Sequence, residues 1–173
     1  MSKRTLISPA PERRQVRITV GLAWPSAKPS DRRFALGEPW PTILALVKEG
    51  VPVTLRKSAV RVSPLRASDE GSVLSGVTRS LQRADIAVFD VTPQRGRINA
   101  NVLVEIGLAH AMGLRPILIA GKHGAHKVLP SDLRGLLVRC YAKSNPNDRQ
   151  SIRALIRSRV KQAVSDNGHG ETK

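Results

Sequence analysis

The chain is 173 residues long, the size of one ordinary domain rather than two. Hydrophobic residues make up 40% of it, enough for a packed core, and a lone cysteine, Cys140, excludes an internal disulfide framework. Lys and Arg outnumber Asp and Glu by 29 to 13, and this net charge of +16 points to nucleic acid, anionic membranes or phosphorylated ligands as partners.

The charge belongs to the body of the chain. Residues 18–164 carry +13, so a basic tail does not account for it. Five aromatic side chains are too few for the regularly spaced stacking platforms of many RNA- and single-strand-binding modules. No Cys/His cluster has zinc-ligand spacing, and no metal site is expected. No apolar run approaches the roughly 18 residues of a spanning helix, so no membrane partner and a cytoplasmic, reducing location are expected. The expected organisation is a flexible basic arm over residues 1–15, one domain over 16–165 and a flexible tail over 166–173.

In chain order, Val16–Ala23 is β-branched and apolar and predicts a buried first strand running into the Trp24-Pro25-Ser26 loop. Pro39, Trp40 and Pro41 open a short helix to Glu49, with Gly50 as its stop. Val51–Leu55 reads as a second strand, followed by an irregular basic stretch from Arg56 to Arg66. Ser68-Asp69-Glu70 then predicts a helix start, and Val73, Leu74, Val77 and Leu81 continue it to Arg83. Residues Ala84–Pro93 form the clearest strand, short and apolar, closed by Asp90, Thr92 and Pro93. The loop Gln94–Ala100 leads to a nearly all-apolar helix, Asn101–Met112, stopped by Gly113. Pro116–Ala120 and Leu136–Ala142 read as the last two strands. From an expected N-cap at Asp148, Ile152, Leu155, Ile156, Val160, Ala163 and Val164 mark an amphipathic helix. Cys140 falls in an apolar strand, where inert packing outweighs a nucleophilic role.

Alternating strands and helices predict an α/β domain with a parallel sheet covered on both faces. Ligands bind such sheets beyond the carboxyl ends of their strands. The specific expectation is a flavodoxin-like three-layer sandwich with about five central strands.

Glu105 demands an explanation, because burying an unpaired carboxylate inside an apolar helix costs several kcal/mol, roughly, by transfer estimates. Either it faces a ligand, with the small Gly107 and Ala109 allowing close approach, or it forms an ion pair with one of the many arginines. No Walker sequence, GxGxxG, HExxH or GxSxG occurs, which removes the usual support for triphosphatase, dehydrogenase, zincin and serine-hydrolase readings.

The stretch ADIAVFDVTPQRGRINANVLVEIGLAHAMGLRPILIAG resembles the shared core of the nucleoside 2-deoxyribosyltransferase-like and TIR-like nucleotide-binding proteins. In that superfamily a strand ending in Asp-x-Thr precedes an Asn-x-Asn-Val loop and a Glu-x-Gly-x-Ala helix. Asp90/Thr92, Asn99/Asn101/Val102 and Glu105/Gly107/Ala109 are similar to that pattern. LPSDLRGLLVRCY and ITVGLAWP extend the resemblance to roughly residues 16–142.

The resemblance implies chemistry at an N-glycosidic bond, with the Glu105 carboxylate attacking the anomeric carbon or stabilising an oxocarbenium-like transition state. Nicotinamide leaves NAD without needing a proton, whereas a purine leaves more readily when protonated, so Asp90 is the candidate second acid. Its alternative role is to cap the following loop. Deoxyribosyltransferases carry an acidic residue a few positions before the glutamate. Asn99 and Asn101 stand there instead, favouring the TIR-like branch; either asparagine would hold ribose hydroxyls or simply cap the helix. Gly21, Trp24 and Thr92 would line the same cleft, Trp24 stacking on a base or packing in the core. Arg95 and Arg97 border it and would hold phosphates. His110 lies about 140° around the helix from Glu105 and off its face.

The expected function is therefore a nucleotide-binding N-ribosyl hydrolase or transferase, with NAD as a candidate substrate and no resident cofactor. A nucleotide or nucleoside is the expected partner, and TIR-like proteins often act as homo-oligomers. The alternatives are a non-catalytic nucleotide sensor and, third, a nucleic-acid-binding protein. Arg149, Arg153, Arg157 and Lys161 form a basic stripe on the last helix, either an anion-binding surface or a solvated face.

Overall fold

The structure is a computed structural model, and it describes residues 15–21, 40–55, 60–65, 73–93, 95–121, 124–141 and 146–168. Strand β1 (Val16–Gly21) is followed by helix α1 (Trp40–Gly50), β2 (Val60–Pro64), α2 (Val73–Gln82) and β3 (Ile86–Asp90). Helix α3 (Ala100–Ala111), β4 (Ile117–Ala120), β5 (Val138–Cys140) and α4 (Pro146–Gly168) complete the order. The five strands pair in parallel in the order β2-β1-β3-β4-β5. This is the flavodoxin-like α/β arrangement, whose strand order reverses between β1 and β3.

Strand alternation divides the core into two layers. Val16, Ile18 and Val20 of β1 face α1 and α4, packing with Ile43, Leu46 and Val47 and with Ile152, Ile156 and Val160. On the opposite face Ala87 and Phe89 of β3 pack with Val77 and Leu81 of α2 and with Val102, Ile106 and Ala109 of α3. The helical spacing expected for α4 is therefore seen in its buried residues.

Three sequence expectations shift. Val53–Leu55 is a 3-10 turn, closed by the Leu55 amide donating to the Pro52 carbonyl at 2.9 Å, and the second strand lies at Val60–Pro64 within the stretch read as irregular. Val60-Arg61-Val62-Ser63 alternates apolar and polar residues, as an edge strand with one polar face does, and its pairing with β1 fixes the register. The last helix opens at Pro146, so Asp148 lies in its first turn rather than at its cap, consistent with the tolerance of proline at a helix start. It also continues through Gly168, three residues into the expected tail. The Ser68–Glu70 helix start lies outside the described residues.

Gly50 does more than stop α1. A β-carbon there would stand 2.8 Å from Ile156 Cβ and 3.1 Å from the Arg153 carbonyl oxygen, so this glycine lets α1 and α4 approach closely. Arg153 also pairs with Glu49, which takes one member of the expected basic stripe into the α1–α4 contact. Arg157 and Lys161 are exposed. Among the described residues no helix is long and apolar enough to cross a membrane, and no three His, Cys, Asp or Glu residues are grouped to hold a metal ion.

Candidate active site at the carboxyl ends of β1 and β3

In this fold class the ligand crevice lies beyond the carboxyl ends of the strands where their order reverses, here β1 and β3, and the sheet register places Gly21 beside Phe89 at that edge. Gly21 has no room for a side chain. Its β-carbon would lie 2.8 Å from Phe89 Cε1 and 3.0 Å from Oε2 of Glu105. Helix α3 therefore delivers the Glu105 carboxylate to the end of β1, while its neighbour Ile106 anchors the helix in the core.

Glu105 is half-buried, and among the described residues no hydrogen bond or ion pair holds its carboxylate, so the arginine partner weighed from sequence is not found there. Burial alone pushes its pKa up from the ordinary glutamate value to about 7. Of the small residues near it, Ala109 is buried core, and a side chain on Gly107 would meet open space. His110 is exposed.

Asp90 is also at the crevice edge but is only 1% exposed. Its Oδ1 accepts from the Thr92 amide at 3.0 Å and from the Thr92 hydroxyl, and its Oδ2 accepts from the Tyr141 hydroxyl at 3.3 Å. The Gly121 amide donates to Thr92 Oγ1 at 2.7 Å, and the Tyr141 amide to the Ala120 carbonyl at 2.8 Å. One short polar network thus ties together the ends of β3, β4 and β5. Burial raises the Asp90 pKa, with the Thr92 and Tyr141 hydrogen bonds opposing the shift. Burial, and then the Asp90 charge, raise that of Tyr141. Tyr141 was not among the sequence candidates. The signal was there: a single tyrosine at the carboxyl end of the last strand, on the same edge of a parallel sheet as Asp90.

Asn99 is the N-cap of α3, and its Oδ1 accepts from the Asn101 amide at 2.9 Å. Its side-chain oxygen is thus engaged as a cap, one of the two roles open to it, while Asn101 is exposed in the first turn. Arg95 and Arg97 are exposed on the connecting turn, where Arg95 takes a left-handed φ of 49° and Gly96 one of 77°. Trp24 lies outside the described residues.

Fold and site together define a flavodoxin-like α/β protein with a glutamate at its topological switch point that has no partner among the described residues. No family model and no curated protein matches the chain. Among solved structures, the chain is similar to rubredoxin oxygen:oxidoreductase from the anaerobe Desulfovibrio gigas, at 12% identity over 92% of this chain and 39% of that one, with a TM-score of 0.47. It is similar to an oxidoreductase from Corynebacterium diphtheriae, at 15% identity over 87% and 96% of the two chains and a TM-score of 0.47. A 2-desoxiribosyltransferase from Leishmania mexicana matches at 14% identity over 60% and 65%, with a TM-score of 0.40. The chain thus spans about two fifths of the first of these proteins and just under two thirds of the last.

Proposed function

We propose that this protein binds a nucleotide and cleaves or transfers its N-glycosidic bond, with Glu105 as the catalytic carboxylate. The observation that carries the reading is the half-buried Glu105 carboxylate, without a partner among the described residues, held against Gly21 at the end of β1. An ionised carboxylate fixed beside an anomeric carbon stabilises the positive charge developing there, and a low-dielectric setting strengthens the effect. With a pKa near 7, Glu105 is substantially ionised at neutral pH and can serve in that role.

Asp90 we assign to positioning rather than to proton donation. Both of its oxygens are engaged, and it holds Thr92, Tyr141 and the three strand ends in place. This arrangement favours a leaving group that departs without a proton, as nicotinamide does from NAD. Asn101 and Thr92 are the groups nearest in sequence for contacts to the sugar, and Arg95 and Arg97 remain candidates for phosphate contacts.

The test is incubation of the purified full chain with NAD and with nucleoside monophosphates, followed by chromatography of the released base. Base release that is lost in Glu105→Gln is the expected result, and undiminished release by that variant would overturn the mechanism. Ligand binding without any base release would leave a nucleotide-sensing module.

A further inference from the structure

The basic charge of the folded body gathers at a place the sequence did not single out. Along β1 the side chains of Arg17 and Thr19 point to the face opposite the Val16, Ile18 and Val20 core, and the parallel register sets Arg61 and Ser63 of β2 directly beside them. Helix α2 crosses this face with Gly76, Arg79 and Ser80, followed by Arg83 in the turn after it, and between them lies a cleft of about 370 Å³. Among the described residues four guanidinium groups line it and no carboxylate does, while the Asp85 carboxylate accepts from the Arg17 backbone amide at 2.8 Å.

Inner strands of a parallel sheet are ordinarily apolar on both faces, because helices cover both. Arg17 and Arg61 are exposed, as basic side chains are, so the departure lies in Thr19, which is buried on this face. Arg17 beside Arg61 sets like charges on neighbouring strands, an arrangement that is destabilising without a counter-charge. Among the described residues none of the four guanidinium groups makes an ion pair. Thr19 adds an independent sign. It is 5% exposed, it lines the cleft, and among the described residues its hydroxyl has no hydrogen-bond partner. The Ser80 hydroxyl, by contrast, is committed to the Gly76 carbonyl at 2.9 Å.

We propose that this cleft is a binding site for a diphosphate-bearing ligand. Guanidinium forks match phosphate oxygens two at a time, so four arginines suit two adjacent phosphate groups rather than one. A cleft of this volume suits a small ligand over an extended nucleic-acid backbone. The site does not depend on the role of Glu105. It does lie on the same face of β1, since Arg17, Thr19 and Gly21 alternate onto one side and Gly21 touches the glutamate.

The experiment is calorimetric titration of the full chain with pyrophosphate, ADP, AMP and a single-stranded oligonucleotide at low and moderate salt. Arg79 on α2 and Arg83 in the turn after it are exposed, so Arg79→Ala/Arg83→Ala should fold normally, which circular dichroism checks; Arg157→Ala on α4 is the control. Pyrophosphate or ADP should bind, at least about tenfold more weakly to the double variant and unchanged in Arg157→Ala. Tighter binding of ADP than of pyrophosphate identifies a nucleotide as the source, and the reverse a free polyphosphate; both support a diphosphate site. AMP binding as tightly as ADP, equal loss in the Arg157→Ala control, no binding of either diphosphate, or oligonucleotide binding that pyrophosphate does not displace would each overturn it.

Discussion

Oε2 of Glu105 stands 3.0 Å from the point that a β-carbon on Gly21 would occupy, so the end of β1 and the glutamate of α3 share one small space. Gly21→Ala is expected to push against both Glu105 and Phe89. Overpacking of this kind costs about 1–3 kcal/mol, which urea denaturation would measure. Because the new methyl also displaces the carboxylate, base release should fall by more than the stability loss explains. A variant with unchanged stability and activity would show that the approach is not tight.

Glu105 also sets a pH dependence. Its pKa is raised by burial to about 7, so between the ordinary glutamate value near 4.5 and that point the folded chain binds more protons than the unfolded one. Stability is then greatest below pH 4.5 as far as this group is concerned and declines as pH rises through 7. Glu105→Gln, which cannot ionise, should match the parent at the acid end and exceed it above pH 7, by at most about 3 kcal/mol. Denaturation curves of both proteins across this range are the check, and a pH-independent difference would rule out the burial argument. Base release should follow the ionised form and increase through pH 7.

Thr92 is the hinge of the polar network. Thr92→Val keeps the shape but removes the acceptor of the Gly121 amide and a donor to Asp90. Leaving partly buried polar groups unsatisfied costs about 1–3 kcal/mol. Tyr141→Phe, which breaks two longer contacts, each 3.3 Å, to Asp90 and to the Thr92 hydroxyl, should cost less, about 0.5–1.5 kcal/mol. Equal losses in the two variants, read from chemical denaturation, would contradict the assignment of Thr92 as the central member.

The α1–α4 contact gives a prediction remote from the site. Ile156 is fully buried, and Ile156→Ala should cost about 2–5 kcal/mol. Gly50→Ala should cost about 1–3 kcal/mol, because its methyl would meet Ile156 Cβ at 2.8 Å. Arg153→Ala, whose pair with Glu49 is more than a third exposed at both ends, should cost under about 1 kcal/mol. Thermal and urea unfolding of the three variants would establish whether this order holds.

The amino-acid sequence by itself determined the alternation of strands and helices, the buried face of α4 and the strand ending at Asp90. Apolar periodicity is local information, and a strong local pattern survives folding. Glu105 was legible for the same reason, as one carboxylate in an apolar helix. What the sequence left open was decided by contacts between distant segments. The second strand is at Val60–Pro64 because β1 supplies its partner. Asp90 is bound by Tyr141, 51 residues away, because parallel strands bring their carboxyl ends level. The four arginines of the cleft come from β1, β2 and α2, and no spacing along the chain unites them. Charge is counted along a sequence, but an electrostatic site depends on which charges the fold sets within a few ångströms of one another, and only the tertiary structure decided that.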